Sequence, residues 1–241
     1  MGLNIIFLVS VFINCVFSKE GITESCDHND IECLKTQTIN VFAKASAGAP
    51  DYNMEPTDPF EIKKMEYTDP ATDIVMQFEN MKITGFKNQK MVDFKLNTDT
   101  KAVEYRGRVE VDIAADVSVK INEDTEILSG TYKAKATSIG IVRYFYSLNV
   151  GSDGVEHYTI GPETITCEPV GVPEVTLDLQ HSNIVEKDPG AVSRKADYLK
   201  RAEEIKRKPV CTIITKGYKH VFVQLRALAN ALPKSAILKD I

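Results

Sequence analysis

The chain has 241 residues, with 29 Lys+Arg against 34 Asp+Glu for a formal charge of −5, 43% hydrophobic residues and no tryptophan. That apolar content excludes a disordered chain, and the acidic balance argues against nucleic acid or another polyanion as partner. The length suits one large domain or two small ones, with ample material for a core.

Leu3 to Phe17 carry no charge and are mostly apolar, but the stretch is shorter than the ~20 residues that span a bilayer as a helix. Val16 and Ser18 put small residues three places and one place before a cut ahead of Lys19. Residues 1–18 are therefore expected to be a removed secretory signal and 19–241 the mature chain, with no membrane insertion. Cys26, Cys33, Cys167 and Cys211 remain after cleavage. In a secreted chain four cysteines read as two disulfides, in any of three connectivities. There is no CxxC, and His28, His157, His181 and His220 lie scattered, so neither metal nor other cofactor is expected.

The first helix is predicted from Asn29-Asp-Ile-Glu32, with Asn29 as N-cap and Glu32 at N3. Ile31, Leu34, Val41 or Phe42, and Ala45 share its apolar face, and Gly48 and Pro50 end it. Ala49 to Pro59 reads as an extended connector. From Ile74 the period changes to two. Ile74, Met76 and Phe78 alternate with Val75, Gln77 and Glu79. The strongest run follows, with Val103, Tyr105, Gly107, Val109, Val111 and Ile113 on one face, resuming at Val117, Val119 and Ile121. Extended, that run would span roughly 60 Å, so the strand must bend. Gly107 and Ala114-Ala115 are the expected places.

Asn122 to Thr125 supply a turn, and a second long alternation runs back from Leu128 to Leu148. A third strand is expected from Tyr158 through Ile160 to Cys167. The tail is helical, with Val210, Ile214, Gly217, Val221, Leu225, Leu228 and Leu232 at spacings of three and four before Pro233. Arg194 to Lys208 form a charged stretch, helical or frayed. The sum is an α+β fold in which a long apolar helix lies against the concave face of a long, curved antiparallel meander.

No GxSxG, HExxH, P-loop or GxGxxG stands in its strand-to-helix context, so catalysis is not expected. The informative feature is a deficit of bulk. Behind Tyr132 the inward face of the second long strand runs Ala134, Ala136, Ser138 and Gly140 before Tyr144 and Tyr146. Dense packing requires either that the helix come very close there or that a hollow exist. An apolar hollow with isolated tyrosine hydroxyls suits a small lipid or terpenoid with one polar group.

Several segments resemble the insect haemolymph juvenile-hormone-binding and takeout-like proteins. They include Cys26-x6-Cys33 ahead of a helix, Gly48-Ala-Pro50-Asp-Tyr52 and Phe78-Glu-Asn80-Met-Lys-Ile83-Thr-Gly85. Gly140-Ile-Val-Arg143-Tyr144, Pro162-Glu-Thr-Ile-Thr-Cys167 and a late Cys211 opening a long helix continue the likeness in order. The resemblance implies a tubular lipid-binding fold, a long helix wrapped by a highly curved antiparallel sheet, with disulfides Cys26–Cys33 and Cys167–Cys211. It implies a monomeric haemolymph carrier of juvenile hormone or another small apolar ligand, its cavity gated by the first helix. Tyr144 matches the tyrosine that contacts the hormone's epoxide, and Tyr158, Leu34, Val41 and Phe42 match the wall. Tyr132 and Ala134 on the strand and Val221 and Leu225 on the long helix complete the candidate lining. Glu55 stands where the nearest relatives carry an aromatic, and Tyr158 adds a hydroxyl where Phe is usual. The alternatives are a carrier of another lipid, odorant or pheromone, and a filled protein acting through its surface.

Overall fold

The computed structural model describes residues 24–72, 74–121, 127–180, 193 and 200–239; the expected signal segment lies outside them. Among the described residues, helices α1 (Ile31–Ala45) and α2 (Pro209–Ala231) accompany eight strands. The strands are β1 (Phe60–Thr68), β2 (Ile74–Thr84), β3 (Lys90–Asn97), β4 (Ala102–Ile121), β5 (Ile127–Val150), β6 (Glu156–Ile160), β7 (Thr164–Pro169) and β8 (Glu174–Gln180).

The spine is the β4–β5 hairpin, an antiparallel ladder running without register break from Ala102↔Phe145 to Lys120↔Ile127. Shorter strands tile its two edges. β2 pairs with Asp112–Ile121 and β3 with Ala102–Arg108 of β4, while β8, β7 and β6 follow one another along β5. β1 flanks β2. Bending enters through the tiles. β2 carries one extra residue between Glu79 and Lys82, opposite Ala115, and β3 one between Met91 and Asp93, opposite Gly107. These bulges sit beside the two sites where the sequence predicts a bend, and a bulge strengthens local twist, which lets a long hairpin curl.

α2 lies in the curl. Pro209 sits at its first turn, where a missing N–H leaves nothing unsatisfied, and Leu232 turns to extended geometry ahead of Pro233. Besides the expected face, Ile213, Tyr218, Phe222, Gln224 and Ala229 are buried, because the sheet wraps the helix and covers more than one stripe. Residues 200–205 form a helical turn ahead of it and 206–208 a turn that leads into it; residues 194–199 of the charged stretch lie outside the described residues.

Two expectations need correction, and two further features were unread or left open. The α1 N-cap is Asp30, whose carboxylate accepts from the Cys33 N–H at 3.0 Å, one residue later than Asn29; both side chains can cap, and the backbone conformation chooses between them. The strand expected from Tyr158 to Cys167 is two strands, parted where Gly161 turns its N–H to the Phe145 carbonyl. β1, β3 and β8 were not legible, because the first two mix lysines and glutamates into their alternation. At the end of the run of small residues on β5 the helix comes very close. A Cβ on Gly140 would lie 2.3 Å from the Tyr218 ring, so the space over Gly140 is filled.

Candidate ligand-binding cavity

The core is uneven along the tube. Where β2 and β8 face the first half of α2, Phe78, Phe86, Ile83, Tyr132, Ile213 and Tyr218 are fully buried and packed together. At the other end, under α1, an apolar cavity of about 210 Å³ opens.

α1 forms its lid. The Cys26–Cys33 disulfide ties the first turn of the helix to the preceding segment. That segment in turn pairs with the C-terminal tail, Cys26 N–H donating to the Ile237 carbonyl at 3.3 Å and Lys239 N–H to the Cys26 carbonyl at 3.0 Å. At the far end the Ser46 carbonyl accepts from Thr57 and Asp58 N–H groups, each at 3.1 Å. Between these tethers Leu34, Thr38, Val41 and Phe42 face the cavity. The Thr38 hydroxyl is spent on the Leu34 carbonyl at 2.7 Å and Gln37 Oε1 accepts from the Glu24 N–H at 2.9 Å, so the lid's underside is largely apolar.

The cavity's polar side chains are those of Tyr105, Tyr144, Tyr146 and Tyr158 on the sheet side, with Glu24, Gln37 and Thr38 on the lid side. Tyr105 is engaged with Gln89 Nε2 at 2.6 Å. The Tyr146 and Tyr158 rings meet edge to face at 5.4 Å, and Tyr144 leans on Phe222 at 6.0 Å. No hydrogen-bond partner for the Tyr144 hydroxyl exists among the described residues. Burial first, and Tyr158 second, push the Tyr144 phenol well above its ordinary value of 10. It therefore stays protonated and available as a donor.

Of the residues singled out from sequence, Tyr144, Tyr158, Leu34, Val41, Phe42 and Leu225 meet at this cavity. Tyr132, Ala134 and Val221 share the same inward faces but lie in the filled core. The Tyr132 hydroxyl donates to the Lys206 carbonyl at 2.9 Å, and its ring stands edge-on to Phe78 at 5.1 Å. Glu55 is exposed, holding Gln224 Oε1 through its backbone N–H at 2.7 Å, and does not line the cavity. The second disulfide, Cys167–Cys211, fastens β7 to the start of α2.

Sequence reasoning missed Val103, Tyr105, Phe222, Ile237 and Leu238 on the wall. The first two had a signal. The β4–β5 ladder is symmetric about the point between residues 123 and 124, the centre of the turn read at Asn122 to Thr125, which sets Val103 opposite Tyr144. Phe222 lies one turn before Leu225. The tail residues had none, since only the pairing with Cys26 brings them back.

Among the described residues no cluster of metal-ligating side chains occurs, and no helix is long and apolar enough to cross a membrane.

The family described as haemolymph juvenile hormone binding protein matches residues 5–136. A juvenile hormone-binding protein of Manduca sexta is 33% identical over 230 residues, covering 94% of this chain and 100% of that protein. The crystal structure of Takeout 1 from Epiphyas postvittana superposes with a TM-score of 0.71 at 15% identity, over 90% of this chain and 99% of that one, and so shares the fold.

Proposed function

This chain belongs to the haemolymph juvenile hormone binding protein family, a family of non-enzymatic carriers, and on that premise we propose that it is a secreted carrier of a juvenile-hormone-like sesquiterpenoid epoxy ester. The observation that carries the reading is the Tyr144 hydroxyl, protonated and without a partner among the described residues in an apolar cavity. An epoxide or ester oxygen accepts from such a donor. Two disulfides suit the oxidising medium that secretion implies.

Magnitudes divide the labour. Burying about 300 Å² of terpenoid at ~25 cal/mol/Å² contributes about 7.5 kcal/mol before the entropic losses of association. One hydrogen bond adds only about 1 kcal/mol, yet a phenol left dry and unpaired costs about 1–3 kcal/mol. Affinity therefore comes from area and selectivity from Tyr144. The cavity, at about 210 Å³, is smaller than the roughly 300–1,000 Å³ of sites that hold drug-sized ligands. Entry therefore requires α1 to yield between its tethers and settle back over the ligand. Ligand should slow amide exchange across residues 31–47, and unchanged exchange there rules out the moving lid.

The deciding experiment is equilibrium binding of labelled juvenile hormone to the delipidated mature protein, beside Tyr144→Phe. The expected result is saturable binding, weakened by roughly 1–3 kcal/mol in the variant. Tight binding with no Tyr144 effect removes that contact, and no binding by folded, empty wild-type protein overturns the carrier. A second hydroxyl on the wall, that of Tyr158, favours as the next reading a carrier of another lipid; equal affinity for the hormone and its de-epoxy analogue would select it.

A further inference from the structure

The cavity ends inside the tube, and the residues that end it are specific. Gly107 of β4 and Gly140 of β5 face each other across the spine, both on the inward face. Neither has a side chain, and the space over each is taken from outside the ladder. Over Gly140 lies the Tyr218 ring, close enough that a Cβ would stand 2.3 Å from it. Over Gly107 lie Gln89 Nε2 and the Tyr105 hydroxyl, 2.3 and 2.6 Å from where a Cβ would be. The Tyr218 hydroxyl bridges the two glycines, donating to the Gly107 carbonyl at 2.7 Å and accepting from the Gly140 N–H at 3.1 Å. The Gln89 side chain, only 1% exposed, meets the Tyr105 hydroxyl at 2.6 Å.

These groups form a bar across the tube from sheet to helix. On one side the bar is cavity wall, where Tyr105 and Phe222 meet edge to face at 5.6 Å. On the other side it is solid core, where Tyr218 stands edge-on to Phe86 at 5.4 Å. Short polar contacts on both glycines hold it, so a ligand cannot displace it by rotating a side chain without leaving buried polar groups unpaired.

We infer that the Tyr105–Gln89–Tyr218 bar over Gly107 and Gly140 is a length stop, which restricts the cavity to short apolar molecules and rejects long-chain lipids. This rests on the carrier reading and sharpens its ligand class. Tyr144 sits on the cavity side of the bar, so a ligand's polar group is held near the stop and its apolar body lies under α1. Extra length has no path past Tyr105.

Straight-chain methyl esters from decanoate to eicosanoate test this, since all carry the same acceptor and differ only in length. Competition with a fluorescent apolar probe on the mature protein reads their affinities. Each methylene that finds room should tighten wild-type binding about fourfold, until affinity breaks off at the stop. In Tyr105→Ala/Gln89→Ala, which removes ring and amide together, the break should move to longer esters. The first ester that the wild type rejects should gain tenfold or more. Phe222→Ala opens the same face from the helix without touching the polar contacts, and should move the break as well if the double variant fails to fold. Tyr105→Phe keeps the ring and should keep the break.

A break that stays put in both opened variants overturns the stop, as does wild-type affinity that climbs smoothly to eicosanoate. A break that moves in Tyr105→Phe overturns the ring as the obstacle. Failure of folded wild-type protein to bind any ester overturns the carrier reading, and this inference falls with it.

Discussion

Tyr132 and Tyr144 stand on the same face of β5, and they divide the molecule into two regions. Tyr132 is enclosed, its ring against Phe78 and its hydroxyl on a backbone carbonyl. Tyr144 keeps an unspent donor beside open space. The difference lies in what the rest of the chain brings over the strand. The filled end receives the first half of α2, the helical turn before it and the bulky residues of β2. The hollow end receives α1, a lid tethered at both ends over a wall of aliphatic and aromatic side chains. One end is packed solid, and the other leaves space beneath its lid.

The largest test of this contrast is truncation at each end. Phe78→Ala should lose about 3–5 kcal/mol of unfolding free energy, since the void it leaves is walled by rigid neighbours. Leu34→Ala, already beside a cavity, should lose less than about 1 kcal/mol in the empty protein. Urea midpoints measure both, and equal losses would erase the distinction. Next come the disulfides. Removing Cys167–Cys211, which spans 44 residues, should lose up to about 4 kcal/mol by loop entropy. Removing Cys26–Cys33, which spans 7, should lose up to about 2.5 kcal/mol. The second change should also speed ligand release, because it frees the lid, and the first should not.

Smaller still is the paired exchange of the two tyrosines. Tyr132→Phe should destabilise the empty protein by roughly 0.5–1.5 kcal/mol, as the Lys206 carbonyl loses its donor. Tyr144→Phe should leave the empty protein's melting temperature unchanged.

The smallest effect is at acid pH. Asp69, 1% exposed, clamps the β1–β2 turn to the filled end through Lys208 Nζ at 3.0 and 3.1 Å. Burial pushes its carboxyl up, but bonds from Thr72, Lys208 and Ala71 outweigh that and hold it below its ordinary value. A depressed carboxylate adds stability that is complete above its unfolded value of about 3.9 and is lost as pH falls through the lower folded one. The unfolding free energy of Asp69→Asn should therefore fall less steeply with acid than that of wild type, and parallel curves would show that the clamp contributes nothing.

Much of the fold was legible because its signals are local. The unbroken alternation of β4 and β5 and the spacing of α2 announce their own periods, and Gly107 and Ala115 marked the bends although the extra residues sit on their neighbours. β1 and β3 were not legible, because Glu61, Lys63 and Lys64 or Asp93 and Lys95 blur an alternation that only pairing with β2 and β4 completes. In the candidate site, inward parity separated wall from surface at Tyr144 and Tyr158. It could not separate wall from core at Tyr132, Ala134 and Val221.

Taken alone, the sequence determined which residues point inward, where the long elements begin and end, and that four cysteines and a helix-on-sheet plan define the molecule. Only the tertiary structure decided where inward means packed and where it means hollow. Period and composition describe one element at a time, whereas a cavity is the absence of a second element's side chain. Tyr218 reaching Gly140 and Ile237 folding back beside Cys26 are encounters between residues far apart in the chain, and no local pattern encodes them.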